Sequence, residues 1–224
     1  MTRPRHRPPL FLAVAILWSG PALAADCPPP GLGRSPPPVE FTLSIPDPVE
    51  RHTLDRKEIT GLAGNDAQVG IHNPGLTRSR TEFRVRPRFQ LASFDDKQVC
   101  VILQKVDASW KMTELTVYLA REYPEGSCQY RETRAHEDEH VRINQYTMRR
   151  FAPVLEARLR KTAAALAARW DKKGGRDVME AMTQELKAAG AAVLSEFQAE
   201  LRKGHAAIDT PESYRAVARK CDRW

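Results

Sequence analysis

The sequence predicts an α+β protein in which a small antiparallel sheet precedes a long antiparallel helical hairpin. Apolar residues alternate with polar ones in the first half of the chain, which is typical of half-buried strands. After Cys128 the apolar spacing changes to about 3.6 residues, which is typical of amphipathic helices. A glycine-containing break at residues 171–177 divides this second half in two.

The strands are predicted from three segments. Apolar residues alternate with arginines from Glu82 to Phe89. Residues 98–106 and 114–123 are rich in β-branched side chains, and we expect residues 107–112 between them to form a hairpin turn. These segments predict the small antiparallel sheet.

The two helices are predicted from apolar stripes at helical spacing. The first stripe comprises Val141, Asn144, Met148, Phe151, Leu155, Leu159, Leu166 and Trp170, and the second comprises Met182, Leu186, Ala189, Val193 and Phe197. Pro153 should kink or interrupt the first helix, because proline removes one backbone hydrogen bond and clashes with the preceding turn. Packing of the two stripes against a common core is their ordinary role.

The N-terminal sequence predicts an exported protein. Residues 1–24 combine arginines, a short apolar run and an Ala-x-Ala pattern, which is typical of a signal peptide. The apolar run is too short to span a bilayer, so we expect no membrane anchor and a periplasmic or secreted location. Residues 25–50 are proline-rich and predict an extended, poorly packed leader. Residues 51–224 then form a single domain.

Composition and charge fit an ordinary globular domain, with 42% hydrophobic and 28% charged residues. The formal net charge of +7 is spread along the chain without a basic block, so we expect no nucleic-acid partner. Four cysteines remain after residue 24, none in a Cys-x-x-Cys pair. An even number in an oxidising compartment favours two disulfides over a cysteine metal site.

One short motif has the residue types and the spacing of a metal-binding site. His136, Glu137 and His140 form the pattern His-Glu-x-x-His. Residues four apart lie on one face of a helix, so both imidazoles can reach a single zinc ion. The intervening glutamate then lies beside the metal, where it can take a proton from the attacking water. The alternative is that the histidines lie on a solvated helix face among acids that favour the helix dipole.

The chain resembles a family of secreted bacterial proteins described as predicted zinc-dependent proteases, in which function is inferred mainly from the same motif. The resemblance covers roughly residues 95–215, through "VCVILQKV", "LTVYLAREY", "HEDEHVRI" and "AAIDTPESY". It implies a zincin-like domain and a zinc site. Asp138 and Glu139 depart from better-known metalloproteases, which usually carry uncharged residues between the histidines, and no metzincin motif follows. The substrate class therefore stays open.

A third zinc ligand is expected from the helical hairpin. If the helices pack antiparallel about Gly174, facing residues have numbers that add to about 347, so His140 faces the neighbourhood of residue 207. Asp209 and His205 lie there, and the similar proteins keep an Asp at the place of Asp209. We therefore prefer Asp209, with His205 as the alternative ligand or as a partner of a ligand. Tyr214 is a further candidate, either as a donor to a catalytic oxyanion or as a packed side chain.

The same pairing rule places Cys128 and Cys221 together at the open end of the hairpin. A bond between them would stabilise the fold by a few kcal/mol in the loop-entropy model. Cys27 then pairs with Cys100, although pairing of Cys100 with Cys128 is the alternative.

Three function classes remain. The first is a zinc-dependent hydrolase, a peptidase acting on peptide or protein substrates, with the strand from Glu114 to Arg121 holding the substrate. The second is a metal-binding but inactive relative with a structural or partner-binding role. The third is a di-iron helical protein, which ranks last because the second helix lacks the required Glu-x-x-His motif.

Overall fold

The computed structural model describes Cys27 and residues 35–63, 74–95 and 98–224. The predicted signal peptide and most of the proline-rich run after Cys27 lie outside these residues. The elements in chain order are β1 (Val39–Ser44), β2 (Val49–Arg51), α1 (Arg56–Ala63), β3 (Gly75–Asp95), β4 (Gln98–Leu119), α2 (Cys128–Ala165), β5 (Ala168–Asp171), α3 (Arg176–Ile208) and α4 (Pro211–Ala218).

Strand β4 is the centre of a five-stranded sheet. One of its edges pairs antiparallel with β3, and the other pairs in parallel with β1 and β2 and antiparallel with β5. The predicted fold class, a small antiparallel sheet of zincin-like type, is therefore wrong, because the sheet is larger and contains parallel pairings. Alternation in sequence identifies a strand but neither its partner nor its direction, which is why the parallel strands were missed.

The predicted hairpin at residues 107–112 is also wrong. Strand β4 runs through this segment without a turn, and Ala108, Trp110 and Met112 are buried while the residues between them point outward. The alternation of buried and outward-facing residues therefore continues through a segment whose sequence resembles a turn. The same strand was expected to hold substrate between Glu114 and Arg121. From Thr116 to Tyr118 both edges are already paired, one with β2 and the other with β3, so this part of the backbone cannot accept another strand.

Strand β1 lies within the segment expected to be a poorly packed leader, residues 25–50. Val39 is buried and is aligned with Val106 of β4, and Phe41 packs against the same core. Residues 39–44 and 49–51 are therefore strands of the sheet, and the predicted boundary at residue 50 falls inside β2.

The core lies between the sheet and the α2–α3 pair. Inward-facing residues of β4 pack against the apolar stripes of both helices, and Trp110 meets Phe197 edge to face with ring centroids 4.7 Å apart. Helix α2 has 38 residues and is about 57 Å long, which lets it follow much of the sheet. It is continuous through Pro153, which is exposed, so water can reach the carbonyl group that loses its helical partner. Trp170 lies in β5 and not in the helix.

Both predicted disulfides are confirmed. Cys128 bonds Cys221 and Cys27 bonds Cys100, and no described cysteine is free. Such bonds persist in oxidising compartments. Among the described residues, the helices contain no stretch that is both long and apolar enough to cross a membrane.

Helix α3 packs closely against β3 at Gly190. A Cβ atom placed on this residue would lie 2.7 Å from Cζ of Phe83, closer than carbon atoms pack. The absence of a side chain at this position therefore sets the distance between the helix and the strand.

Gly190→Ala should lower the free energy of unfolding. Overpacking costs about 1–3 kcal/mol, which exceeds the gain of about 1 kcal/mol when Ala replaces Gly inside a helix, so we expect a net loss of about 1 kcal/mol. Gly61→Ala in α1 is the matched control, because a Cβ there meets no atom within 4 Å and should leave only the stabilising gain. Denaturant unfolding of both variants checks this, and equal stabilisation of the two would contradict the packing argument.

Candidate metal centre

The His-Glu-x-x-His motif lies in the first third of α2. The helix begins at the N-cap Ser127, whose hydroxyl accepts a hydrogen bond from the Tyr130 backbone N–H. His136 and His140 follow one turn apart, with centroids 4.9 Å apart, and Glu137 lies on the buried side of the helix. The helix therefore presents both imidazoles on one face, as the spacing predicts.

Asp209 reaches this face because α3 ends at it. It is the C-cap of α3, and its backbone N–H donates to the His205 carbonyl. Helix α4 starts immediately afterwards with a reciprocal capping box between Thr210 and Ser213. Two helix termini thus fix the backbone on either side of the Asp209 carboxylate.

Three donor atoms converge in a nearly equilateral triangle. Asp209 Oδ1 lies 3.1 Å from Nε2 of His136 and 3.1 Å from Nε2 of His140, and the two nitrogens are 3.2 Å apart. Donors about 2.0–2.1 Å from a tetrahedral metal ion are separated by about 3.3 Å. The triangle therefore has nearly the size of one tetrahedral face, and this group could hold a metal ion.

His205 contacts the opposite side of the His140 ring. The two Nδ1 atoms lie 2.8 Å apart, so one of them donates to the other. If His140 offers the lone pair of Nε2 to a metal, its Nδ1 carries the hydrogen and donates to His205. The structure thus brings Asp209 into the donor group, whereas His205 is placed to fix the tautomer of His140.

A polar chain continues behind these rings. The Asn144 amide nitrogen donates to the His140 carbonyl at 2.9 Å and lies 3.5 Å from Nε2 of His205. The Asn144 amide oxygen accepts from the Ser79 hydroxyl of β3 at 2.6 Å. Asn144 was predicted only as part of an apolar stripe. Its position two turns after Glu137 on the same helix face was the available signal.

Glu137 is 4% exposed and is held against the start of β3. The Thr77 hydroxyl lies 2.8 Å from its Oε2 and donates to it. Gly75 leaves room for the carboxylate, because a Cβ atom there would lie 2.8 Å from Oε1 and 2.7 Å from a methyl carbon of Thr133. Neither Thr77 nor Gly75 was predicted, since only the register of β3 on α2 reveals them.

Tyr214 of α4 completes the surroundings of Asp209. Its hydroxyl donates to Asp209 Oδ1 at 2.9 Å, and its ring lies 5.5 Å from the His136 ring. In the arrangement observed, Tyr214 therefore bonds the same oxygen that faces the two histidines.

The electrostatics of the group favour an ionised acid between two histidines. Burial raises the pKa of Asp209, but the hydrogen bonds from His136 and His140 lower it by more, so the pKa falls well below its usual range. Burial lowers the pKa of His140, but the hydrogen bond to Asp209 and the nearby acid charges outweigh this and raise it. Burial raises the pKa of Glu137.

The outer groups are held neutral. Burial, followed by repulsion from His140, lowers the pKa of His205 to about 4. Burial and the Asp209 charge raise the pKa of Tyr214 above its usual range, so its hydroxyl remains a donor. A neutral His205 can accept a hydrogen bond from His140, which is what a metal-binding tautomer requires.

The group opens into a cavity of about 500 Å³. The start of β3 forms one wall and the end of α3 another. The lining residues are Ala63, Gly75, Leu76, Thr77, Glu137, His140, Arg202, His205, Ala206, Asp209 and Tyr214. A volume of this order accommodates a small ligand or a few residues of a peptide.

Affinity for a divalent metal ion should fall as the pH drops from 8 to 6. The metal requires neutral His140, whose pKa is raised, whereas Asp209 stays ionised across this range. Below the His140 pKa a proton must leave for each ion bound, so we expect roughly tenfold weaker binding per pH unit. Calorimetric titration at several pH values checks this, and equal dissociation constants at pH 8 and pH 6 would contradict it.

Comparison of the chain with protein-family models, with curated proteins and with solved structures finds no match. The resemblance to predicted zinc-dependent proteases therefore stays a prediction.

Proposed function

We propose that this protein is an exported zinc-dependent hydrolase that cleaves peptide bonds. The observation that carries the proposal is the triangle of two imidazole nitrogens and one carboxylate oxygen beside the buried carboxylate of Glu137. Three protein donors leave one tetrahedral position open, which is the pattern of catalytic rather than structural zinc sites.

Zinc is proposed on the basis of the donor chemistry. Two imidazoles and one carboxylate suit zinc, whereas magnesium and calcium prefer sites built from oxygen alone. Zinc bound here supplies a Lewis acid for a carbonyl oxygen and lowers the pKa of a water molecule.

Glu137 is proposed as the general base. The Thr77 hydroxyl holds one oxygen of the carboxylate, and the other lies against Gly75, where no side chain fills the space. A carboxylate fixed this way can take a proton from attacking water and return it to the leaving amine. Burial raises its pKa, which makes it a stronger base than an exposed glutamate.

Tyr214 is proposed to stabilise the oxyanion that develops on the substrate carbonyl. Its raised pKa keeps the hydroxyl protonated, and its bond to Asp209 holds the hydroxyl beside the donor triangle. The hydroxyl has a single proton, so this role requires the O–H to turn from Asp209 Oδ1 to the carbonyl oxygen, and a metal ion bound to Oδ1 would favour that turn.

A periplasmic or secreted location is part of the proposal. It rests on the signal-peptide pattern of residues 1–24 and on the two disulfides, which belong to an oxidising compartment.

Mature protein should contain zinc near one equivalent per chain, and the variants His136→Ala and Asp209→Asn should lose most of it. His205→Gln should retain a site, weakened about 10-fold to 100-fold, because it removes a partner of His140 and not a donor. His52→Ala is the matched control, since His52 pairs with Glu50 outside the site. Elemental analysis after dialysis decides this, and a variant without His136 that keeps full zinc would exclude the centre.

Glu137→Gln should abolish peptide hydrolysis while leaving zinc in place. The amide keeps the size of the side chain and can still accept the Thr77 hydrogen bond, but it cannot take a proton from water. The loss of a general base costs about 100-fold to 10,000-fold in rate. Cleavage of a broad peptide mixture by zinc-loaded protein measures the effect.

Glu139→Gln is the control for this experiment, because Glu139 lies on the same helix and pairs with Arg142 away from the donors. It should cleave like wild type. Equal cleavage by the Glu137 variant would assign the activity to another group. Zinc-loaded wild type that cleaves no peptide would instead favour the metal-binding, inactive relative.

A further inference from the structure

We infer that Arg202 makes the cavity selective for substrates that carry a carboxylate near the bond to be cleaved. The inference rests on the proposed function for the location of that bond. It adds a substrate class, namely peptides with a free C-terminal carboxylate or an acidic side chain on one side of the reacting amide.

Arg202 is placed to do this by the geometry of α3. It lines the same cavity as Glu137, His140 and Asp209, on the side formed by the end of α3. It precedes Asp209 by seven residues, which is two turns or about 10 Å along the helix. An extended peptide advances about 3.3 Å per residue. A carboxylate bound to Arg202 therefore lies within a few residues of the donor triangle.

The Arg202 guanidinium has no acidic partner of its own. The ion pairs found among residues 35–63, 74–95 and 98–224 do not include it, although many other arginines of the same range are paired. The two acids that line its cavity have other partners: Glu137 bonds Thr77, and Asp209 bonds the two motif histidines. Among the described residues that line the cavity, Arg202 is therefore the one charged side chain with neither an ion pair nor a side-chain hydrogen bond.

The charge balance of the cavity points to the same ligand. A divalent ion at the donor triangle is neutralised by Asp209 and Glu137, and Arg202 then leaves an excess of one positive charge. Arginine binds carboxylates through two parallel hydrogen bonds, which gives both strength and orientation. Ala206 lies one turn after Arg202 on α3 and also lines the cavity, so its small side chain leaves room beside the guanidinium.

The test uses hydroxamates as zinc-binding probes, so that it does not depend on turnover. A series of alkyl hydroxamates of four to eight carbons carries either a terminal carboxylate or the matching carboxamide. Zinc-loaded wild type should bind at least one carboxylate member roughly tenfold or more tightly than its carboxamide, as expected for a charge-assisted pair. Arg202→Gln should remove this preference, and Arg202→Lys should restore part of it.

Lys203→Gln is the matched control, because Lys203 follows directly on α3 and does not line the cavity. It should keep the preference. Equal binding of both members of every pair by wild type would overturn the inference, as would a preference that survives in Arg202→Gln. Failure of every hydroxamate to bind zinc-loaded protein would overturn it as well.

Peptides then separate the two carboxylate sources and the two proposals. KM and kcat are measured for peptides with free C-termini and for their C-terminal amides. The same constants are measured for peptides with an internal Glu and for the same peptides with Gln in its place. For peptides that carry the carboxylate, the substitution Arg202→Gln should raise KM more than it lowers kcat. Cleavage without any carboxylate preference would contradict this inference and would leave the proposed hydrolase function intact. Carboxylate-selective probe binding without cleavage would sink the hydrolase and keep the carboxylate site.

Discussion

The antiparallel packing of α2 and α3 on one face of the sheet is the constraint on which the donor group depends. The motif histidines lie near the start of α2, so only the far end of the partner helix can reach them. Sliding α3 by one turn, about 5.4 Å, would carry Asp209 away from His140. It would also uncover core residues such as Phe197 and Val193, each worth about 1.5–3 kcal/mol when buried. Apolar packing therefore sets the position of a polar group.

The contact between α2 and the beginning of β3 changes character along its length. Inward-facing Thr77 and Ser79 meet Glu137 and Asn144, whereas farther along the strand the inward-facing residues are Phe83 and Val85. A buried carboxylate without partners would be strongly destabilising. The hydroxyls of the strand offset this cost at the one end of the interface where the helix is polar. The sheet is thus part of the site and not only a platform for the helices.

The parts that could be predicted from sequence are those governed by local periodicity. The spacing of His136 and His140 defines a helix face. The pairing of two helices of similar length led to the neighbourhood of His205 and Asp209 and to the Cys128–Cys221 bond, and the resemblance favoured Asp209 of the two. The sheet could not be predicted in the same way. Its parallel pairings join segments more than sixty residues apart, and alternation carries no information about such partners. Thr77 lies on β3, which pairs antiparallel with β4, and it contacts a glutamate sixty residues away, so local periodicity did not predict it either.

The bond between Cys128 and Cys221 closes a covalent ring around the whole helical hairpin. Asp209 lies inside that ring, between α3 and the short α4, so the bond ties the segment that follows α3 to the start of α2. Loss of this tie would lower the effective concentration of the third donor at the histidine pair. A metal ion held by this group would therefore be bound more tightly when the two thiols are oxidised than when they are reduced. Formation of this one bond would then control how firmly the ion is retained.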